Sequence, residues 1–149
     1  MAGSLWLIYA LGAAILWGLS YALSEELLQR RGVPASFLIF MEALVAIPLY
    51  IILVQSLGGF KAGIVATFSD TKTLFMVIVM GVCFMVGNFL IMLSVTEKNA
   101  TLTSFIEISY PLFTVFFVWL LLGKFDLNLY SALGALLIIS GVGVMYLKG

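Results

Sequence analysis

Five long stretches nearly free of ionisable side chains constrain this chain more than any other feature. Each runs about 19 to 22 residues, the length an α-helix needs to cross the hydrocarbon core of a bilayer. They cover residues 5–23, 35–54, 74–95, 101–122 and 127–147, and every charged residue except Glu42 and Glu107 lies outside them. The chain is 64% hydrophobic and 9% charged, against about 25% charged in a soluble domain, which excludes an ordinary soluble fold. The expected class is therefore an all-α membrane protein with five transmembrane helices.

Composition also narrows the chemistry. Seven Lys/Arg balance seven Asp/Glu, so no basic surface is available to hold a nucleic-acid backbone. With no histidine and one cysteine, Cys83, the usual zinc, haem and Cys/His nucleophile arrangements cannot be assembled, and no disulfide can close within one chain. No cofactor, metal or catalytic residue is expected, and an enzyme is the weakest reading.

The connections are short and polar. Residues 24–34 carry Glu25, Glu26, Arg30 and Arg31, while 97–100 and 123–126 read as tight turns. One linker is longer: between Gln55 and Thr73, apolar Phe60, Ile64, Val65 and Phe68 alternate with Lys61, Ser69, Asp70 and Lys72. That pattern suits either a short helix in the headgroup region or an exposed loop. The first span is not expected to be a signal peptide, because no Lys or Arg precedes it, its apolar run exceeds a signal's core, and no small-x-small site follows before Glu25. Residues 1–149 read as one domain, embedded in the lipid bilayer.

Charge placement leaves orientation nearly undecided. If the N-terminus shares a face with the second and fourth loops, that face holds Lys61, Lys72 and Lys124, and the other holds Arg30, Arg31, Lys98 and Lys148. Three against four gives almost no positive-inside bias. Either orientation is nearly as good, and two oppositely inserted copies of an odd-helix chain would form a ten-helix inverted-repeat assembly.

Glu42 and Glu107 each cost about 2.5–3.5 kcal/mol on the lenient insertion scale, so an intramembrane position marks a functional candidate. From the face bearing Arg30 and Lys98, Glu42 lies about 10 Å and Glu107 about 9 Å along the helix rise. Asn88, Trp17 and Ser140 fall about 10 Å from the same face, giving one layer to which all five helices contribute. On the fourth helix Ser104, Glu107, Tyr110, Pro111 and Thr114 follow the three-to-four spacing of one inward stripe. Pro111 frees the carbonyl near residue 107 and bends the helix there. A buried Glu can take a proton or a cationic group by turns, and Trp17, Tyr21 and Tyr110 offer aromatic surface to a cation. The structural alternatives are that Glu42 and Asn88 only join helices, that Trp17 and Tyr21 are interfacial anchors, and that Pro48 marks a kink.

Several strings carry a family resemblance: Trp17-Gly18 with Tyr21, the run from Ile106 to Leu112 (Ile-Glu-Ile-Ser-Tyr-Pro-Leu) leading into Trp119 and Gly123, and the segment from Gly134 to Val142. In order and spacing they resemble the EamA-type domain of the drug/metabolite transporter superfamily, over essentially the whole chain. The resemblance implies a transporter of small organic solutes, and a single five-helix domain then implies a partner copy. The last helix, in its Gly134…Gly141 pattern, is also similar to the dimerisation helix of the small multidrug resistance family. Seven residues, about two turns, put Gly134 and Gly141 on one face, where they either let a second copy approach closely or pack against the chain's own helices. Two departures stand out: Lys124 occupies the place of an acidic residue after the fourth helix, and the first helix has no carboxylate. Any proton-linked mechanism must then rest on Glu42 and Glu107. The leading expectation is a secondary exporter or exchanger in the inner membrane of a prokaryote, working as an antiparallel homodimer by alternating access. A lipid-linked sugar flippase subunit, with Arg30 and Arg31 near a phosphate, and a non-transporting scaffold are the alternatives.

Overall fold

The structure, a computed structural model, describes residues 5–124 and 128–148. Five helical spans among them are long and apolar enough to cross a membrane: Leu5–Arg30, Ala35–Ser56, Thr71–Glu97, Ala100–Leu122 and Leu129–Leu147. The described residues contain no strand, so the all-α, five-span class is observed directly. The expected turn over 123–126 and the start of the fifth helix at Leu127 fall partly on 125–127, outside the described residues.

The helices are α1 (Leu5–Glu25), α2 (Ala35–Ser56), α3 (Phe60–Phe68), α4 (Thr71–Glu97), α5 (Ala100–Glu107), α6 (Tyr110–Leu122) and α7 (Leu129–Lys148), with a π-helical turn (Glu26–Arg30) extending α1. Large apolar side chains such as Ile15, Phe84 and Leu121 stand exposed along them. A helix that is apolar all round is stable only where its surroundings are apolar too.

The chain divides into two compact units, residues 1–25 with 98–149, and residues 26–97. In the first, α1 packs on α5 and α5 on α7. Tyr21 and Ser24 on α1, and Ala100 and Thr103 on α5, are buried, each pair three residues apart and so on one helix face. The N-terminus of α5 is doubly capped. Asn99 Oδ1 accepts the Leu102 N–H at 2.8 Å, and a Glu25 carboxylate oxygen accepts the Ala100 N–H at 2.6 Å. Two of the four unpaired N–H groups of that helix end are thereby satisfied, and a negative charge sits at its positive pole.

In the second unit α2, α3 and the π-helical turn all pack on α4. Leu28, Leu38, Met92 and Val95 are buried, Val95 completely. Here the fastening is at a helix C-terminus: Gln29 Nε2 donates to the Val95 carbonyl at 2.6 Å, filling an acceptor in the last turn of α4. The other end of α4 is capped by Asp70, whose carboxylate accepts the Thr73 N–H at 2.9 Å and the Thr73 hydroxyl at 2.7 Å. Those hydrogen bonds, the Thr73 side chain's first, hold the exposed Asp70 carboxyl below its ordinary pKa.

Three local features differ from the sequence reading or choose between its alternatives. The polar segment after Leu23 is not all connection: it stays helical to Arg30, with the Arg31 N–H bonded to the Glu26 carbonyl at 3.0 Å. This five-residue step, characteristic of a π-helix, ends at Gly32, whose φ of +66° suits glycine. The long linker contains a helix, α3, entered through Gly58 at φ +70°. The fourth span is interrupted at Ile108 and Ser109, between α5 and α6.

The two intrahelical prolines behave differently. Pro48 lies inside α2, which continues through it. Pro111 stands in the first turn of α6, immediately after the break. It has no N–H to give the Glu107 carbonyl, and the chain closes instead with three-residue steps, Ser109 N–H to Ile106 O at 3.1 Å and Leu112 N–H to Ser109 O at 3.0 Å. A proline is tolerated in the first turn of a helix, where its N–H would be unpaired anyway. The span thus holds two half-helices joined by a turn whose two residues keep right-handed helical dihedrals.

Candidate functional site

Glu107 is the last residue of α5 and is half-buried. The C-terminal end of a helix carries partial negative charge from its unpaired carbonyls, so this carboxyl shares its surroundings with acceptors. A hydrogen-bond donor reaches it from α1: the Tyr21 hydroxyl donates to Glu107 Oε2. Tyr21 itself is buried. Because Glu25, one turn further along α1, holds the other end of α5, α1 grips this eight-residue half-helix at both ends.

Glu42 is half-buried on α2, in the second unit. Its Oε2 accepts a hydrogen bond from Asn88 Nδ2 on α4 at 3.0 Å. The other oxygen of that amide, Asn88 Oδ1, is buried with no hydrogen-bond partner. Both intramembrane carboxyls are thus met by neutral donors. The described ion pairs lie elsewhere: Arg30 and Arg31 each approach Glu26, at 3.2 Å in both cases.

The structure therefore joins four of the six candidate solute- or proton-binding residues into two pairs, Tyr21 with Glu107 and Asn88 with Glu42. Trp17, one turn before Tyr21, and Tyr110, just past the break, are exposed. Neither side chain makes a hydrogen bond or ring contact with another described residue. The stripe expected on the fourth span is cut by the break. Ser104 and Thr114 turn their hydroxyls to the carbonyls of Thr101 and Tyr110, at 2.9 and 3.1 Å. Ser140 does the same on α7, donating to the Leu136 carbonyl at 2.8 Å. A methyl group built on Gly134 or Gly141 meets no atom within 4 Å.

Sequence reasoning treated Tyr21 as an aromatic surface, whereas its hydroxyl makes the contact. It placed Glu25 in the connection after the first span and gave neither Glu25 nor Gln29 a role. Asn99 alone carried a signal for the capped helix start, an Asn just before an apolar-periodic run. Nothing local marks Glu25 as its companion, 75 residues away.

The model of the EamA-like transporter family matches residues 4–147. No curated protein and no solved structure matches the chain.

Proposed function

The chain belongs to the EamA-like transporter family and is a membrane transporter of the drug/metabolite superfamily, and from that premise we propose that it is a proton-linked exporter or exchanger of small organic solutes with Glu107 as its exchanging group. The observation that carries this reading is the Tyr21 hydrogen bond to Glu107 at a break in a membrane-spanning helix. Broken spans whose half-helix C-termini bear acceptors are where transporters hold coupling cations and protons.

The chemistry follows from the donor and acceptor inventory. As a carboxylate, Glu107 accepts from Tyr21 and keeps lone pairs open at a helix end that favours positive charge. Once protonated, it turns donor, and the phenol oxygen of Tyr21 becomes an acceptor for it. A proton and a cationic solute group thus compete for one set of lone pairs, and occupancy by one excludes the other. That exclusion is the minimal requirement for exchange. Trp17 and Tyr110, both exposed, supply aromatic faces for the organic part of a cation.

The working unit in this reading is an antiparallel homodimer in the inner membrane of a prokaryote, favoured by the near-even distribution of Lys and Arg between the two faces. The open Gly134 and Gly141 positions on α7 support a close approach by a second copy. The flippase alternative would use Arg30 and Arg31, which are exposed and each approach Glu26 at 3.2 Å.

The test is uptake by purified protein in liposomes, with cationic, zwitterionic and anionic solutes, with and without an imposed pH gradient. Gradient-dependent movement of a cationic solute is expected. Transport indifferent to the gradient for every solute would end the proton-linked reading. Cross-linking of Gly141→Leu in the same liposomes addresses the assembly: loss of the dimer is expected, and an undiminished dimer would move the interface off α7.

A further inference from the structure

The exchange proposed at Glu107 leaves Glu42, the other intramembrane carboxyl, without a role. Its surroundings differ in one decisive respect. Asn88 Nδ2 donates to Glu42 Oε2 at 3.0 Å, while Asn88 Oδ1, on the same planar amide, is buried and unpartnered. An amide edge presents one donor and one acceptor side by side. A carboxylate can answer only the donor, because all its sites are acceptors; a neutral carboxylic acid answers both, since it carries one O–H and one C=O.

Among the described residues of its own unit, Glu42 has no ion pair with a cation. Beyond Glu42, α2 carries Tyr50 as its one titratable side chain. On α4, which packs against it, the charged residues Lys72 and Glu97 sit near the two ends, about 24 Å and 13 Å along the axis from Asn88, and Cys83 is the remaining titratable group. Of the other elements packed on α4, α3 contributes Lys61, and the π-helical turn contributes Glu26 and Arg30, which pair with each other. A protonated Glu42 would carry the kind of donor that Asn88 Oδ1 lacks.

We propose that Glu42 and Asn88 form a neutral acid–amide pair that binds and retains one proton. The proton, taken from solvent as the chain inserts, resides on Glu42 Oε1 and is donated to Asn88 Oδ1, while Asn88 Nδ2 donates back to Glu42 Oε2. Two antiparallel hydrogen bonds then fasten α2 to α4, and neither an orphan acceptor nor a bare charge remains in the apolar span. The pair is a fixed proton site, distinct in kind from the exchanging one at Glu107.

The experiment is infrared difference spectroscopy of the full-length protein in lipid nanodiscs, wild type against Glu42→Gln, from about pH 5 to about pH 9. Glutamine reproduces both hydrogen bonds, with an N–H in place of the acid O–H, so the variant is expected to fold. The expected difference is the loss of one neutral-acid carbonyl band at every pH. Loss of carboxylate bands instead overturns the proposal. A second measurement leaves Glu42 in place: in Glu107→Gln protein labelled with 13C-glutamate, the Glu42 resonance, assigned by its loss on adding Glu42→Gln, should show a neutral-acid carboxyl shift in solid-state NMR, and a carboxylate shift refutes the pair. Transport is not read in either case, so failure here leaves the Glu107 proposal standing, and the reverse also holds.

Discussion

Two glutamates, one in each unit of the chain, lie well inside membrane-spanning helices, yet their backbones and partners differ. Glu42 stands in an unbroken helix that runs through its proline, and it meets an amide. Glu107 stands at the end of a half-helix cut off before its proline, and it meets a phenol. An amide offers a donor and an acceptor locked in one plane, so it specifies a single protonation state of its partner. A phenol has one rotatable O–H that can donate or accept, so it tolerates both. On the proposed reading, an intramembrane carboxyl is fixed or exchangeable according to the group that faces it and the rigidity of the backbone that carries it. The cost of burial alone does not decide between them.

The largest expected effect comes from erasing the backbone difference. Pro111→Ala removes a residue about 3 kcal/mol less favourable than alanine inside a helix, and α5 and α6 should fuse through Ile108 and Ser109. Amide exchange at residues 108–112 should slow markedly and transport should fall. Pro48→Ala in α2, already continuous, should change neither exchange nor transport to a comparable degree. Equal responses of the two variants would erase the distinction.

Next is the partner itself. Tyr21→Phe keeps the ring and deletes the hydroxyl, leaving Glu107 without its donor. A hydrogen bond to a charged group is worth about 1.5–3 kcal/mol, so the pH profile of transport should move. An unmoved profile would mean that Tyr21 does not face the exchanging group.

The fastenings of the two units should rank below these. Glu25→Ala uncaps α5 and should cost about 1–2 kcal/mol in unfolding measurements, with faster amide exchange at Ala100. Gln29→Ala removes a neutral hydrogen bond to α4 and should cost about 1 kcal/mol. The reverse order would show that charge at the α5 N-terminus contributes little.

How much of this was legible in the sequence depends on the range of the interaction. The five spans were, because charge-free runs of membrane length are a local property, and so was the singling out of Glu42 and Glu107 as the two ionisable residues inside them. Pro111 announced a disturbance near residue 107. What it did not announce was the two-residue turn between α5 and α6, which depends on how Ile108 and Ser109 repair their hydrogen bonds. The pairings were out of reach, since Tyr21 and Glu107 are 86 residues apart and Glu42 and Asn88 are 46. With apolar residues on every face, helical periodicity gave no signal for which sides meet. Glu25 and Gln29 were missed for a related reason: polar residues just beyond a span read as solvated linker until the π-helical turn carries them back onto neighbouring helices.

The smallest effect belongs to Asp70, far in sequence from both glutamates. Its carboxyl is held below its ordinary pKa by Thr73 and the α4 backbone. A depressed carboxyl contributes stability above the unfolded-state value of about 3.9, and the contribution is lost as pH falls through the lower folded value. Asp70→Asn should remove that acid-side dependence and leave neutral-pH transport unchanged. An unaltered acid limb of the stability curve would place the dependence on other carboxyls.

The most direct measurement of the central claim is solute uptake driven by a pH gradient in liposomes containing Glu107→Gln, after its folding has been verified by circular dichroism. Glutamine keeps the shape and the hydrogen-bonding capacity of the site and removes only the titrating proton. The expected result is a folded protein in which an imposed pH gradient no longer drives transport. Gradient-driven transport at the wild-type rate would contradict the account.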